Sequence, residues 1–136
     1  MFLKTAERLV KEQALKDYPQ KISVGIPDKS VPQYNYKCHI NAAQAVKTGM
    51  AVGVVETVVM YDDMCIAHYV SLMADGKYVD FTLGIEILDR DVRFVRIVHP
   101  DEYDHMNDVL WNHKKHLCRN LPWYIPVNDK LLRNAC

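Results

Sequence analysis

The stretch Cys38-His39-Ile40-Asn41-Ala42-Ala43-Gln44-Ala45-Val46-Lys47-Thr48-Gly49, soon followed by Val52-Gly53-Val54-Val55-Glu56-Thr57-Val58-Val59-Met60, decides the fold class. Its first half is rich in Ala, contains no Pro and closes on Gly49, so it reads as a helix with a glycine cap. Its second half turns into a β-branched run that suits a strand buried on both faces. Beyond it, Asp62-Asp63 marks a turn, 65–73 a second strand, Ala74-Asp75-Gly76 another turn and 77–82 a third strand. A fourth strand covers 92–98, its apolar run broken by Arg93 and Arg96. Upstream, 2–18 is an amphipathic helix with Leu3, Ala6, Leu9, Val10 and Ala14 at helical spacing, closed by Pro19. Residues 19–37 form a wrapping loop with a short strand at 22–26. Downstream, His99-Pro100-Asp101 opens a long helix to Arg119, and an irregular tail follows, packed by Trp123, Tyr124 and Ile125. Helix, antiparallel meander, helix: the class is α+β.

With 136 residues, 49% of them hydrophobic and 25% charged, the chain is the size of a single domain and too apolar for disorder. The 17 Lys and Arg balance the 17 Asp and Glu, which argues against a generic nucleic-acid or acidic-membrane binder. The opening Met1-Phe2-Leu3-Lys4-Thr5-Ala6-Glu7-Arg8 meets charge too early for a signal peptide, and no apolar run has the ~18 residues that span a bilayer. Cysteines at 38, 65, 118 and 136 form no C-x-x-C pair, so the expectation is a cytoplasmic protein with free thiols.

Three residues stand where thiol chemistry would want them. Cys38 opens a predicted helix, where the dipole and unpaired backbone N–H groups favour a thiolate. His68 lies mid-strand in Ile66-Ala67-His68-Tyr69-Val70, and Asp80 closes Gly76-Lys77-Tyr78-Val79-Asp80 on the next strand. Together they supply a nucleophile, a base that takes its proton and a carboxylate that orients the imidazole. A two-residue Asp75-Gly76 loop would put 68 and 80 on opposite faces of the hairpin. The triad therefore requires a loop of three or five residues there.

Cys38-His39-Ile40-Asn41-Ala42 resembles the C-x-x-N-A opening of small papain-like or transglutaminase-like proteins common in phages and bacteria. A following strand with a glycine (Gly53), a His-aromatic strand (Ala67-His68-Tyr69) and a D-x-T element (Asp80-Phe81-Thr82) keep the family's order over residues 38–84. Tyr69 stands where Trp is commoner in that family, and Phe81 where Pro is usual. The resemblance implies a papain-like core, a helix packed on an antiparallel sheet, with catalytic Cys38, His68 and Asp80. An oxyanion hole would combine the Cys38 backbone N–H with an upstream polar residue. Gln33 is the first choice, with Asn35 or the Tyr34 and Tyr36 hydroxyls as substitutes. Asn41 orients a loop or faces the site.

Other clusters read as structure. Cys65 has the opposite strand parity from His68. Of His99, His105, His113 and His116, only His113 and His116 share a helix face, whereas structural zinc needs four converging ligands. With Lys114, Lys115 and Arg119 they read as a solvated basic helix end, and neither metal nor cofactor is expected. Two functions follow. The first is a cysteine hydrolase or acyltransferase acting on an amide or ester bond, whose substrate is a peptide, an isopeptide, a glutamine side chain or a peptidoglycan stem. The second is a catalytically silent papain-like binding module, such as a phage protein that inhibits a host protein, with Tyr34, Tyr36, Trp123 and Tyr124 as anchors. Neither needs a membrane or nucleic acid.

Overall fold

Alternation along the strands sorts this chain's side chains into two cores. The computed structural model describes residues 2–27 and 37–125. Helix α1 (Phe2–Asp17) is followed by two short strands, β1 (Lys21–Ile22) and β2 (Val24–Gly25). Then come helix α2 (Cys38–Lys47) and strands β3 (Gly53–Met60), β4 (Cys65–Leu72), β5 (Tyr78–Val79) and β6 (Asp91–Val98). A 3-10 turn (Pro100–His105) leads into helix α3 (Met106–Leu117). The class is α+β, with a mostly antiparallel sheet and flanking helices.

Among the described residues six strands pair in the order β1-β6-β3-β4-β5-β2, and only the β2–β5 pair is parallel. Its two outer strands, β1 and β2, are separated in the chain by Ser23 alone. The sheet therefore curls until its two ends are joined through one short segment, which shortens the edges open to pairing with another chain. Val24, Val55, Val59, Ile66, Val70, Ile87 and Val92 form the core on the inner face of this curl. On the outer face Val54, Val58, Met60, Ala67 and Tyr69 pack with Cys38, Ala42, Val109, Leu110 and Leu117 of the helices. Every residue of β3 is buried, as its unbroken β-branched run required.

One irregularity rearranges β6. The β3–β6 register slips between Glu56 and Thr57: Glu56 faces Arg96 and Thr57 faces Phe94, so Val95 is an extra residue on β6. Before the bulge, Val92 and Phe94 point to the inner core. After it, Val98 joins the helix-side core, and Arg96 reaches Glu56. An unbroken strand would have kept Arg96 with Phe94 and Val92, in the apolar interior.

Several expected elements are shorter. The third strand shrinks from 77–82 to Tyr78–Val79, because Asp80 Oδ1 accepts the backbone N–H groups of Thr82 (2.6 Å) and Leu83 (2.9 Å) and turns the chain out of the ladder. The long helix begins as α-helix only at Met106. Before it, Glu102 accepts the His99 backbone N–H at 2.9 Å and binds Arg96, holding Pro100–His105 as a tight 3-10 turn. In the tail Ile125 is buried, but Trp123 is 94% exposed and Tyr124 60%, so those two aromatics pack against each other rather than into the core.

Candidate functional site

The β4–β5 hairpin pairs Ser71 with Val79 and Leu72 with Tyr78, leaving 73–77 as a five-residue loop. Gly76 holds φ +85° there, a left-handed conformation that favours glycine. Both numbers in each pair sum to an even value, so His68 and Asp80 share a face as diagonal neighbours. Their side chains close the diagonal: His68 Nε2 lies 2.5 Å from Asp80 Oδ2, and neither residue is exposed.

Asp80 is held by four groups. Oδ2 takes the imidazole N–H, Oδ1 takes the Thr82 and Leu83 N–H groups, and its own N–H donates to the Gly25 carbonyl at 2.9 Å. Burial pushes its acidity the unfavourable way. The His68 hydrogen bond and charge, with the two backbone donors, outweigh that, so the carboxyl sits below its ordinary value. The Asp80 carboxylate thus fixes the His68 ring with Nε2 as donor, which makes Nδ1 the nitrogen positioned for base chemistry.

Helix α2 packs on β4 and carries Cys38 as its first residue, fully buried. Two contacts join the helix to the D-x-T element: Asn41 Nδ2 donates to Thr82 Oγ1 at 3.0 Å, and Ala45 packs with Phe81. This is the role of Asn41, which sequence alone left undecided.

Cys38 departs from expectation in one respect. Its sulfur is in a disulfide, so among the described residues the reading of free thiols holds for Cys65 and Cys118. It also belongs to the helix-side core with Ala67 and Tyr69. His68 alternates with those two residues and shares the inward parity of Ile66 and Val70. The structure therefore brings His68 and Asp80 together and groups the Cys38 side chain with the helix-side core. Gln33 and Asn35, like Tyr34 and Tyr36, lie outside the described residues. An open groove of about 860 Å3 runs along Gly25, Ile26, Met73, Tyr78 and Phe81, beside Asp80 in the chain but lined without it.

A second polar group was not legible in the sequence. Glu56 is 4% exposed and accepts Tyr69 Oη–H at 2.7 Å and Arg96 Nε–H at 3.2 Å. Arg96 also forks onto Glu102 at 2.8 and 3.1 Å. His113, expected in a solvated basic end, is instead 4% exposed: its Nε2–H donates to the Thr57 carbonyl at 3.0 Å and its Nδ1 lies 3.7 Å from Glu56 Oε1. Burial lowers its pKa, against the pull of Glu56. The available signal was spacing: with Met106, Val109, Leu110 and Leu117, His113 falls on the apolar stripe of α3. His39, beside Cys38, hydrogen-bonds Asn107 Oδ1 at 2.7 Å, while its buried Nδ1 has no hydrogen-bond partner. Burial lowers the His39 pKa as well.

Among the described residues no group of three His, Cys, Asp or Glu side chains is placed to hold a metal ion, and no helix is long and apolar enough to cross a membrane. No protein-family model, curated protein or solved structure matches the chain.

Proposed function

We propose that this chain is a papain-like cysteine hydrolase or acyltransferase acting on an amide or ester bond. Cys38 is the nucleophile, His68 the base and Asp80 the residue that orients the imidazole. The observation that carries the reading is the buried His68–Asp80 pair, formed across neighbouring strands by residues 12 apart in the chain. A fully desolvated His–carboxylate pair is costly to build and recurs where an imidazole must be held as a base. The Asn41–Thr82 hydrogen bond supports it further, because it ties the start of α2 to the segment carrying Asp80.

In this reading the form with Cys38 in a disulfide is the resting one. A dithiol reductant breaks the S–S bond, becoming a disulfide itself and delivering two electrons and two protons, so that Cys38 and its former partner sulfur each end as thiols. Before Ser71, over residues 65–70, the edge of β4 is not paired with β5. We place the Cys38–His68 contact around that edge, where residues from opposite faces can meet. His68 Nδ1 takes the thiol proton, the sulfur attacks the carbonyl carbon, and the proton passes to the leaving amine or alcohol. Water or an acceptor amine then releases the acyl group. Both Cys38 and His68 are fully buried, so substrate enters only in a more open state.

A catalytically silent binding module is the second reading, favoured by the disulfide and by the exposed Trp123–Tyr124 pair (ring centroids 5.9 Å apart), an aromatic anchor of the kind that seats a protein partner. An amide- or ester-directed thiol probe separates the two. After reduction, fast labelling of Cys38 that His68→Ala abolishes supports the enzyme. Slow, equal labelling of all four cysteines, untouched by His68→Ala, overturns it. Turnover against peptide and amide substrates then names the substrate.

A further inference from the structure

The catalytic reading uses His68 and Asp80 but leaves His113, on the far side of the sheet, without a task. His113 is buried and bonded to a strand carbonyl rather than to solvent. That carbonyl belongs to Thr57, at the step where the β3–β6 register slips. Thr57 is also the cross-strand partner of His68, and its hydroxyl donates to the His68 carbonyl at 2.9 Å with both groups buried. One residue is thus gripped from both layers: its carbonyl by α3, its hydroxyl bound to the strand carrying the imidazole.

We propose that His113 is a positioning residue for His68, acting through Thr57. This rests on the proposed function for its catalytic consequence, though not for the mechanical coupling itself. The His113 ring lies beside Glu56, Nδ1 3.7 Å from Oε1, and that carboxylate is fixed by Tyr69 Oη–H and Arg96. Arg96 is in turn clamped to Glu102, in the turn that leads into α3. A shift of α3 therefore moves the Thr57 carbonyl, and with it the backbone of His68. Because the His68 Nε2–H···Asp80 bond is short and directional, a small displacement of that backbone changes it.

The groups facing His113 are Glu56 from β3, Tyr69 from β4, Arg96 from β6 and His116 on its own helix.

The experiment follows the low-field His68 Nε2–H resonance by NMR in the full chain. In His113→Leu the donor is lost, and this proton is expected to shift and to exchange about tenfold faster, relative to amides of the β3–β6 ladder. His113→Gln, which keeps an N–H donor at similar reach, is expected to stay within about twofold of the parent. Thr57→Val removes only the hydroxyl link and is expected to match His113→Leu. If His113→Leu folds and leaves the resonance and its exchange unchanged, the coupling is overturned. If it does not fold, Thr57→Val decides alone, and an unchanged resonance there has the same force. In an active, reduced protein the same two variants lower kcat with little change in KM. Absence of turnover in the parent chain sinks the hydrolase reading without touching the NMR result, so the two failures are distinguishable.

Discussion

His68 and Asp80 meet at 2.5 Å with both side chains sealed from solvent, although the ladder that joins their strands ends at Ser71–Val79 and includes neither. The pair is therefore held by side-chain chemistry, by the turn after Asp80 and by the Asp80 N–H bond to the Gly25 carbonyl, not by the β4–β5 ladder.

Breaking that pair is expected to be expensive. Asp80→Ala leaves a buried imidazole and two backbone N–H groups without their acceptor, and a loss of about 3–5 kcal/mol follows, read as a fall in the urea midpoint. The carboxyl is below its ordinary value of 3.8 in the folded chain. Its contribution is therefore present above that value and is lost as pH falls through the folded value. An Asp80→Ala variant as stable as its parent at neutral pH contradicts this account.

The buried histidines set the response to mild acid. Burial holds both His113 and His39 below the ordinary 6.5 in the folded chain. The unfolded chain then binds more protons between the two values, so stability is complete above 6.5 and declines as pH drops beneath it. Denaturant midpoints taken from around pH 7 to around pH 5 are expected to fall, and His113→Gln to flatten the curve. A parent curve flat across that range removes the argument.

Deleting Val95 is expected to be tolerated, because it removes the bulge and leaves every later pairing in place. Without the extra residue, Arg96 follows Phe94 directly, still falls opposite Glu56, and Val98 still falls opposite Val54. The expected loss is roughly 1–2 kcal/mol, close to that of Val95→Ala, which keeps the bulge. Circular dichroism melts of the two variants check this, and a deletion that does not fold contradicts it.

Gly76 carries a conformation, not a contact. A Cβ there meets nothing within 4 Å, yet φ is +85°, so Gly76→Ala pays only backbone strain of about 1–2 kcal/mol. Thermal unfolding measures it, and a larger cost would mean that the five-residue loop had been misjudged.

Trp123 offers the opposite case. At 94% exposure, Trp123→Ala is expected to change stability by less than ~0.5 kcal/mol. If the binding-module reading holds, the same change weakens partner capture while the fold is untouched, measurable by calorimetry.

Much of this was legible in the residues. The β-branched run of β3 announced a strand with no solvent face, the Ala-rich segment ending at Gly49 announced its helix, and a meeting of residues 68 and 80 required an odd-length loop. Glu56, by contrast, looked like an interruption and His113 like a solvated charge. Each is buried because a partner distant in the chain satisfies it, and local patterning carries no record of such a partner.

Sequence by itself determined the order of the main elements and, once His68 and Asp80 are taken as partners, the odd length of the loop between them, because both follow from short-range geometry: helical spacing, strand alternation and loop parity. Only the tertiary structure decided that the sheet closes through Ser23, that a single extra residue turns Arg96 toward Glu56, and that the Cys38 sulfur is engaged in a disulfide within the helix-side core. Those outcomes depend on which distant surfaces meet, and that is settled by packing over the whole chain rather than by any one stretch of it.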